Sequence, residues 1–105
     1  MKIWRYAPLL LLAAAAPDGK QIVLHGNGNG ALPCAACHGA DGQGKPSAGA
    51  PALAGKPAAN IVMALNMMAA GQDGTGLMPS IAAALTPDER QAVAAYFASL
   101  AKPAP

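Results

Sequence analysis

Hydrophobic side chains recur along this chain at intervals of three and four residues, which is the spacing of one face of an α-helix. The pattern is clearest over residues 57–71 and 86–100, and a shorter helix is predicted over residues 18–26. The apolar positions of the two longer stretches are Ile61, Ala64, Leu65 and Met68, and then Ala92, Val93, Tyr96, Phe97 and Leu100. No segment alternates with the two-residue period of a strand. The sequence therefore predicts an all-α fold with three main helices.

Residues at the helix ends support these assignments. Asp18 can cap the first helix and Gly26 can end it. Gly71 is a suitable stop for the second helix. In the third helix, Thr86 and Glu89 have the spacing of a capping box, in which each side chain bonds the backbone N–H of the other residue.

Two stretches rich in glycine and proline, residues 39–57 and 72–80, separate the helices and are predicted to be loops. The first is longer than connections in compact domains usually are. We expect it to wrap a ligand that supplies its packing partner. A short helical turn is predicted over residues 81–85, directly before the last helix.

The N-terminal residues differ from the rest of the chain. Lys2 and Arg5 precede an apolar run that is too short to cross a bilayer and that ends in small residues. Residues 1–15 are therefore predicted to be a cleaved secretory signal peptide, which leaves residues 16–105 as one domain with no membrane span. An uncleaved membrane anchor is the alternative.

Beyond residue 15 the chain carries five basic and five acidic side chains, so it is formally neutral. The sequence has no stripe of basic residues with aromatic residues between them, so binding to nucleic acid is not expected. The chain is rich in alanine and only 4% aromatic, so its helices can bury little apolar area per residue. A small domain of this kind needs a disulfide, a metal or a large cofactor to complete its interior.

The sequence PCAACHG holds both cysteines, Cys34 and Cys37, followed directly by His38. A thioredoxin-like disulfide is one interpretation, but such a motif follows a strand in a βαβ unit, and no such pattern is present. A zinc site would need four ligands, which His38 and His25 could complete. Because His38 adjoins Cys37, however, its ring would diverge from a metal that both thiols hold.

The third interpretation is the attachment of haem c, for which Cys-x-x-Cys-His is the signature. Each thiol adds to one haem vinyl group, and the two intervening residues let one turn of backbone span both groups. His38 then projects toward the iron. Because this attachment takes place outside the bacterial cytoplasmic membrane, the motif agrees with the signal peptide. The sequence predicts one covalently bound haem c, held by Cys34 and Cys37, with iron ligated by His38.

With these segments the chain resembles the class I cytochromes c, and especially small bacterial periplasmic members similar to one half of a cytochrome c4 or to a cytochrome c5. The matching segments are GKQIVLHGNGNG, CAACHGADGQG, APALAG, GLMPS and LTPDERQAVAAYFASL. The resemblance covers nearly all of residues 16–105. It implies the cytochrome c fold, with long loops wrapped around the haem, and a periplasmic location.

The iron needs a second axial ligand, for which the candidates are His25, Met63, Met67, Met68 and Met78. His25 fits a surface position, and the first three methionines lie on a predicted helix, where methionine usually fills the core. Met78 lies in a predicted loop, is stiffened by Pro79 and follows His38 by 40 positions. These features favour Met78, and the resemblance implies the same ligand.

The resemblance also implies contacts around the ligands. A ligating histidine usually donates its other ring N–H to a fixed acceptor. In the family this acceptor is a proline carbonyl of a Pro-x-Leu motif, which assigns the role to Pro51 and places Leu53 against the haem. Gly19 matches a family glycine that packs against the last helix, although Val23 occupies a position where an aromatic residue is common.

Iron with both axial positions filled leaves no place for a substrate, so the predicted protein is not an enzyme. We predict a monomeric one-electron carrier that exchanges electrons briefly with other periplasmic redox proteins. One alternative is an electron-transfer subunit of a periplasmic dehydrogenase or oxidase complex. The other is a gas-binding haem sensor with a labile sixth ligand.

Overall fold

The computed structural model describes residues 16–103, and the predicted signal peptide at residues 1–15 lies outside the described residues. These residues form five α-helices: α1 (Gly19–His25), α2 (Ala35–His38), α3 (Ala58–Ala69), α4 (Met78–Ala84) and α5 (Pro87–Ala98), with a turn of 3₁₀-helix at Pro46–Ala48. Residues 16–103 contain no strand beyond one isolated bridge between Lys45 and Ala50. The all-α prediction is confirmed.

The predicted caps form as expected. The Asp18 carboxylate accepts a hydrogen bond from the Gln21 backbone N–H at 3.2 Å at the start of α1. At the start of α5, the Thr86 hydroxyl accepts from the Glu89 N–H at 3.1 Å, and the Glu89 carboxylate accepts from the Thr86 N–H at 2.8 Å. Each bond satisfies a backbone donor that has no partner inside the helix.

Two local predictions were wrong, and one short helix was not predicted. α4 begins at Met78 rather than at residue 81, because Pro79 in the first helical turn fixes a backbone angle that the helix can use. Cys34 caps α2, a single helical turn that the apolar pattern did not predict. Ala64 is exposed and not part of the buried face of α3, which consists of Ile61 and Leu65.

The helices pack around a small core, with α1 against α5 and α3 against both α4 and α5. A side chain at Gly19 would collide with the backbone carbonyl of Ala92, so only glycine allows α1 and α5 to approach this closely. The buried core residues are Ile22, Val23, Ala31, Ile61, Leu65, Ala82, Leu85, Val93, Ala94 and Phe97. This packing of α1 on α5 agrees with the family contact expected at Gly19.

None of the helices in residues 16–103 has the length and apolar character needed to span a membrane.

Candidate haem site

The two thiols lie on the single turn of α2. Cys34 is the N-cap residue of this turn, and its backbone carbonyl accepts a hydrogen bond from the His38 backbone N–H at 2.9 Å. Residues three apart lie on one side of a helix, so both thiols can reach one planar ligand. The two cysteines form no disulfide; Cys34 is half-buried and Cys37 is exposed. Before attachment, burial raises the pKa of the Cys34 thiol.

His38 is buried, and its orientation is fixed by a single backbone group. Its ring Nδ1 lies 2.8 Å from the carbonyl oxygen of Pro51. A carbonyl oxygen can only accept, so Nδ1 must carry the proton and Nε2 of the neutral ring has a free lone pair. This is the tautomer that a metal-ligating histidine needs. It is also the contact that the resemblance implied for Pro51.

Backbone hydrogen bonds hold the loop after α2 beneath His38. The Gly44 N–H donates to the His38 carbonyl at 2.8 Å, and the Leu53 N–H donates to the Gly42 carbonyl at 2.8 Å. The loop thereby returns on itself and brings Pro51 to the imidazole. Leu53 is half-buried and packs against the core, and its contact with the haem stays a prediction.

Helix α5 supports the same loop from the other side. The Tyr96 hydroxyl donates to the Ala40 carbonyl at 3.3 Å, and the Gly55 N–H donates to the Phe97 carbonyl at 2.9 Å. Gly42 has a φ of +71°, and a side chain there would come within 2.9 Å of the Phe97 ring. The loop therefore follows the surface of α5, although no helix or strand forms within most of it.

Met78 is the first residue of α4 and is half-buried against the core, which corrects the prediction that it lies in a loop. The helix fixes the direction of its side chain more firmly than a loop would. Met63 and Met67 are 64% and 40% exposed, and His25 is also exposed. Met68 is half-buried on α3 and is the remaining inward-facing competitor.

Sequence reasoning missed two polar side chains that join the segments around the site. Asn27 lies before the cysteines and bonds both the Ala84 carbonyl at 2.8 Å and the Glu89 carboxylate at 3.0 Å. Arg90 donates to the Ala82 carbonyl at 3.1 Å and to the Asn66 side chain at 3.2 Å. Neither residue belongs to an apolar pattern, and their partners are distant in sequence, so only the fold reveals them.

Glu89 is the clearest electrostatic feature near α4. The backbone N–H of Thr86 and then the side chain of Asn27 donate to its carboxylate and lower its pKa. These donors favour the ionised form, which also suits the positive end of the α5 dipole.

The donor set fits haem c. Two neighbouring thiols, an imidazole with a free Nε2 and an inward-facing thioether are the groups that such a haem uses. When bound, the haem supplies an iron that gains and loses one electron. The zinc alternative is not supported, because within residues 16–103 no three histidine, cysteine, aspartate or glutamate side chains are grouped to hold a metal ion.

Known proteins resemble this chain over most of its length. Residues 26–97 match the family described as cytochrome c oxidase, cbb3-type, subunit III. The thiosulfate dehydrogenase electron acceptor of Stutzerimonas stutzeri (strain A1501) is 42% identical over 92% of this chain and 45% of its own length. The thiosulfate dehydrogenase electron acceptor of Thiomonas intermedia (strain K12) is 40% identical over 71% of this chain and 36% of its own length. The chain thus spans less than half the length of these relatives.

Solved structures share the fold. Cytochrome c4 of Acidithiobacillus ferrooxidans is 37% identical, with a TM-score of 0.72 over 78% of this chain and 48% of its own. The thiosulfate dehydrogenase TsdBA of Marichromatium purpuratum is 36% identical, with a TM-score of 0.76 over 80% of this chain and 18% of its own. Together with the matched family, these similarities show that the chain belongs to the cbb3-type cytochrome c family and is a class I c-type cytochrome with covalently bound haem c.

Proposed function

We propose that the protein is a one-electron carrier whose haem is attached through Cys34 and Cys37 and whose iron is ligated by His38 and Met78. The contact between His38 Nδ1 and the Pro51 carbonyl, at 2.8 Å, is the observation that carries this proposal, because it leaves Nε2 free for iron. Two protein ligands would fill both axial positions. The site then suits electron exchange without binding a substrate, and the protein is not an enzyme.

Exposed apolar side chains support a docking role for the surface near these ligands. Leu32 and Leu77 are 51% and 62% exposed, and each lies within two residues of a haem-site residue, Cys34 or Met78. Cys37 is exposed as well. Residues 16–105 carry five basic and five acidic side chains, so this part of the chain has no net charge to steer a partner. Brief contacts of small, apolar area are expected.

The second candidate is an electron-transfer subunit, or dedicated acceptor, of a larger dehydrogenase. Two relatives carry the name thiosulfate dehydrogenase electron acceptor, and the matched family is described as an oxidase subunit, which favours this candidate. A periplasmic location, a cleaved signal peptide at residues 1–15 and a single domain over residues 16–105 complete the proposal. A free carrier is expected to be a monomer, whereas a subunit should co-purify with its larger partner.

The test uses the purified secreted holoprotein. Mass spectrometry should find one haem on the polypeptide, and a redox titration should follow a one-electron curve. Mixing with a thiosulfate dehydrogenase and thiosulfate should reduce the haem if the protein accepts electrons from that enzyme class. Rapid binding of CO to the reduced protein at neutral pH would instead identify a labile sixth ligand and support a gas sensor.

A further inference from the structure

Asn27 uses its whole side-chain amide in hydrogen bonds. Its Oδ1 accepts from the backbone N–H groups of Asn29 at 2.8 Å and Ala31 at 3.0 Å. Its Nδ2 donates to the Ala84 carbonyl at 2.8 Å and to the Glu89 carboxylate at 3.0 Å. An asparagine side chain has two acceptor sites and two donor hydrogens, so all four are occupied.

These four bonds join two segments that are far apart in sequence. The Oδ1 bonds shape the loop that leads through the buried Ala31 to Cys34. The Nδ2 bonds reach the last residue of α4, the seven-residue helix that begins at Met78, and the first turn of α5. A side chain at Gly30 would come within 3.4 Å of the Ala84 side chain, so the loop lies directly on the end of α4.

Helix α4 needs such an external support. A helix of seven residues is too short to be stable by itself. It packs against α3, but all residues of the segment before it, 71–77, are exposed. Its C-terminal carbonyls have side-chain partners instead, since Ala84 accepts from Asn27 and Ala82 accepts from Arg90.

We propose that Asn27 is a positioning residue that clamps α4 to the loop before the cysteines and thereby holds the Met78 thioether at the iron. This inference rests on the proposed ligation by Met78. Asn27 itself touches neither ligand. It fixes the separation between the segment that carries Cys34 and His38 and the helix that carries Met78.

The test compares two variants of the holoprotein that make the same chemical change in the same loop. Asn27→Asp keeps the oxygen that accepts from Asn29 and Ala31, but removes both Nδ2 bonds and places a second carboxylate beside Glu89. Asn29→Asp changes an exposed residue whose side chain makes no bond across to α4 or α5. Each ferric protein is titrated with imidazole, which competes with the methionine for iron, while the sulfur-to-iron charge-transfer band is followed.

We expect Asn27→Asp to bind imidazole about tenfold more tightly than the wild type, since losing bonds to a half-buried carbonyl and to a carboxylate makes it easier for Met78 to leave the iron. Asn29→Asp should match the wild type. Helix content and haem attachment should be unchanged in both, so a general loss of structure would not explain the result. Equal imidazole affinities in all three proteins would overturn the proposal.

If Asn27→Asp does not yield holoprotein, a second pair of variants decides. Glu89→Ala and Thr86→Ala both break the capping box of α5, but only Glu89→Ala removes a partner of Asn27. Tighter imidazole binding by Glu89→Ala alone supports the clamp, and equal binding overturns it. A band that survives in Met78→Ala would overturn the ligand assignment together with the clamp, which separates that failure from a failure of the clamp alone.

Discussion

At the scale of single residues, the site depends on which lone pairs the fold leaves free. The Pro51 carbonyl occupies Nδ1 of His38, so only Nε2 remains for a metal. Among the methionines, Met63 and Met67 lie on the exposed side of α3, while Met68 and Met78 are half-buried against the core. Among the methionines of residues 16–103, Met68 and Met78 are therefore the better-placed candidates for the proposed sixth ligand.

Met78→Ala should abolish the sulfur-to-iron band of the oxidised protein and lower the reduction potential by on the order of 100 mV, because a thioether ligand raises the potential. The measurements are a visible spectrum and a redox titration. Met67→Ala is the matched control, since that side chain is 40% exposed, and it should leave both unchanged. Loss of the band in Met68→Ala but not in Met78→Ala would move the ligand to α3.

At the scale of helices, close contacts and caps decide how the elements that surround the site are held. Gly19 lies on the backbone of Ala92, so α1 and α5 are in direct contact without intervening side chains. Thr86 and Glu89 begin α5 only two residues after α4 ends. Helix α4, which carries Met78, is therefore tied closely to α5, and α5 is in turn held against α1.

Gly19→Ala should destabilise the protein by about 2 kcal/mol, or roughly 10 °C in Tm, because the added methyl group forces α1 away from α5. Alanine by itself favours a helix by about 1 kcal/mol over glycine, so the collision must outweigh that gain. Thermal unfolding followed by circular dichroism measures the difference. Gln21→Ala, at an exposed position of the same helix, is the control and should be neutral or stabilising. An equal gain in Tm for Gly19→Ala and Gln21→Ala would contradict the close contact between α1 and α5.

Glu89→Gln should change the pH dependence of stability. The pKa of Glu89 is lowered in the folded protein, so its ionised form stabilises the fold fully above the ordinary value of 4.5, and this contribution is lost as the pH falls through the lower folded pKa. The wild type should therefore melt at a higher temperature than Glu89→Gln near neutral pH, and the difference should close in acid. Asp88→Asn removes the same charge from the same turn and serves as the control. A difference in Tm between the wild type and Glu89→Gln that stays constant with pH would refute the expectation.

At the scale of the whole molecule, the core is too small to explain the fold without the haem. The largest fully buried side chains in residues 16–103 are Phe97, Val23 and Val93, and much of the remaining core is alanine. A loop of more than a dozen residues follows α2 with only one 3₁₀ turn in it. A large planar ligand is the simplest partner for these surfaces.

Removing the haem should therefore unfold most of the chain. Cys34→Ser combined with Cys37→Ser prevents attachment, and we expect the secreted product to have lost most of its helical circular dichroism signal. The wild-type holoprotein prepared in the same way is the reference. A double variant with the helix content and cooperative melting of the holoprotein would show that the polypeptide folds without the haem.

The sequence allowed the helices, their caps and the haem motif to be predicted because these features depend on residues close to one another. The helical spacing of Ile61 and Leu65 and the cap at Asp18 are of this kind. The start of α4 at Met78 was missed because its residues have no clear apolar period. The Asn27 contacts were missed because Ala84 and Glu89 are 57 and 62 positions away. Long-range polar contacts of this sort leave no local pattern.

The exposed segment 71–77 has a practical consequence for anyone who handles this protein. Accessible loops of small residues are where proteases cut first, and a cut here would separate the polypeptide that holds Cys34 and Cys37 from the one that holds Met78. The larger fragment would keep its pigment, since thioether bonds survive proteolysis. A red sample can therefore be a nicked and inactive one, and intactness is better judged by gel than by colour.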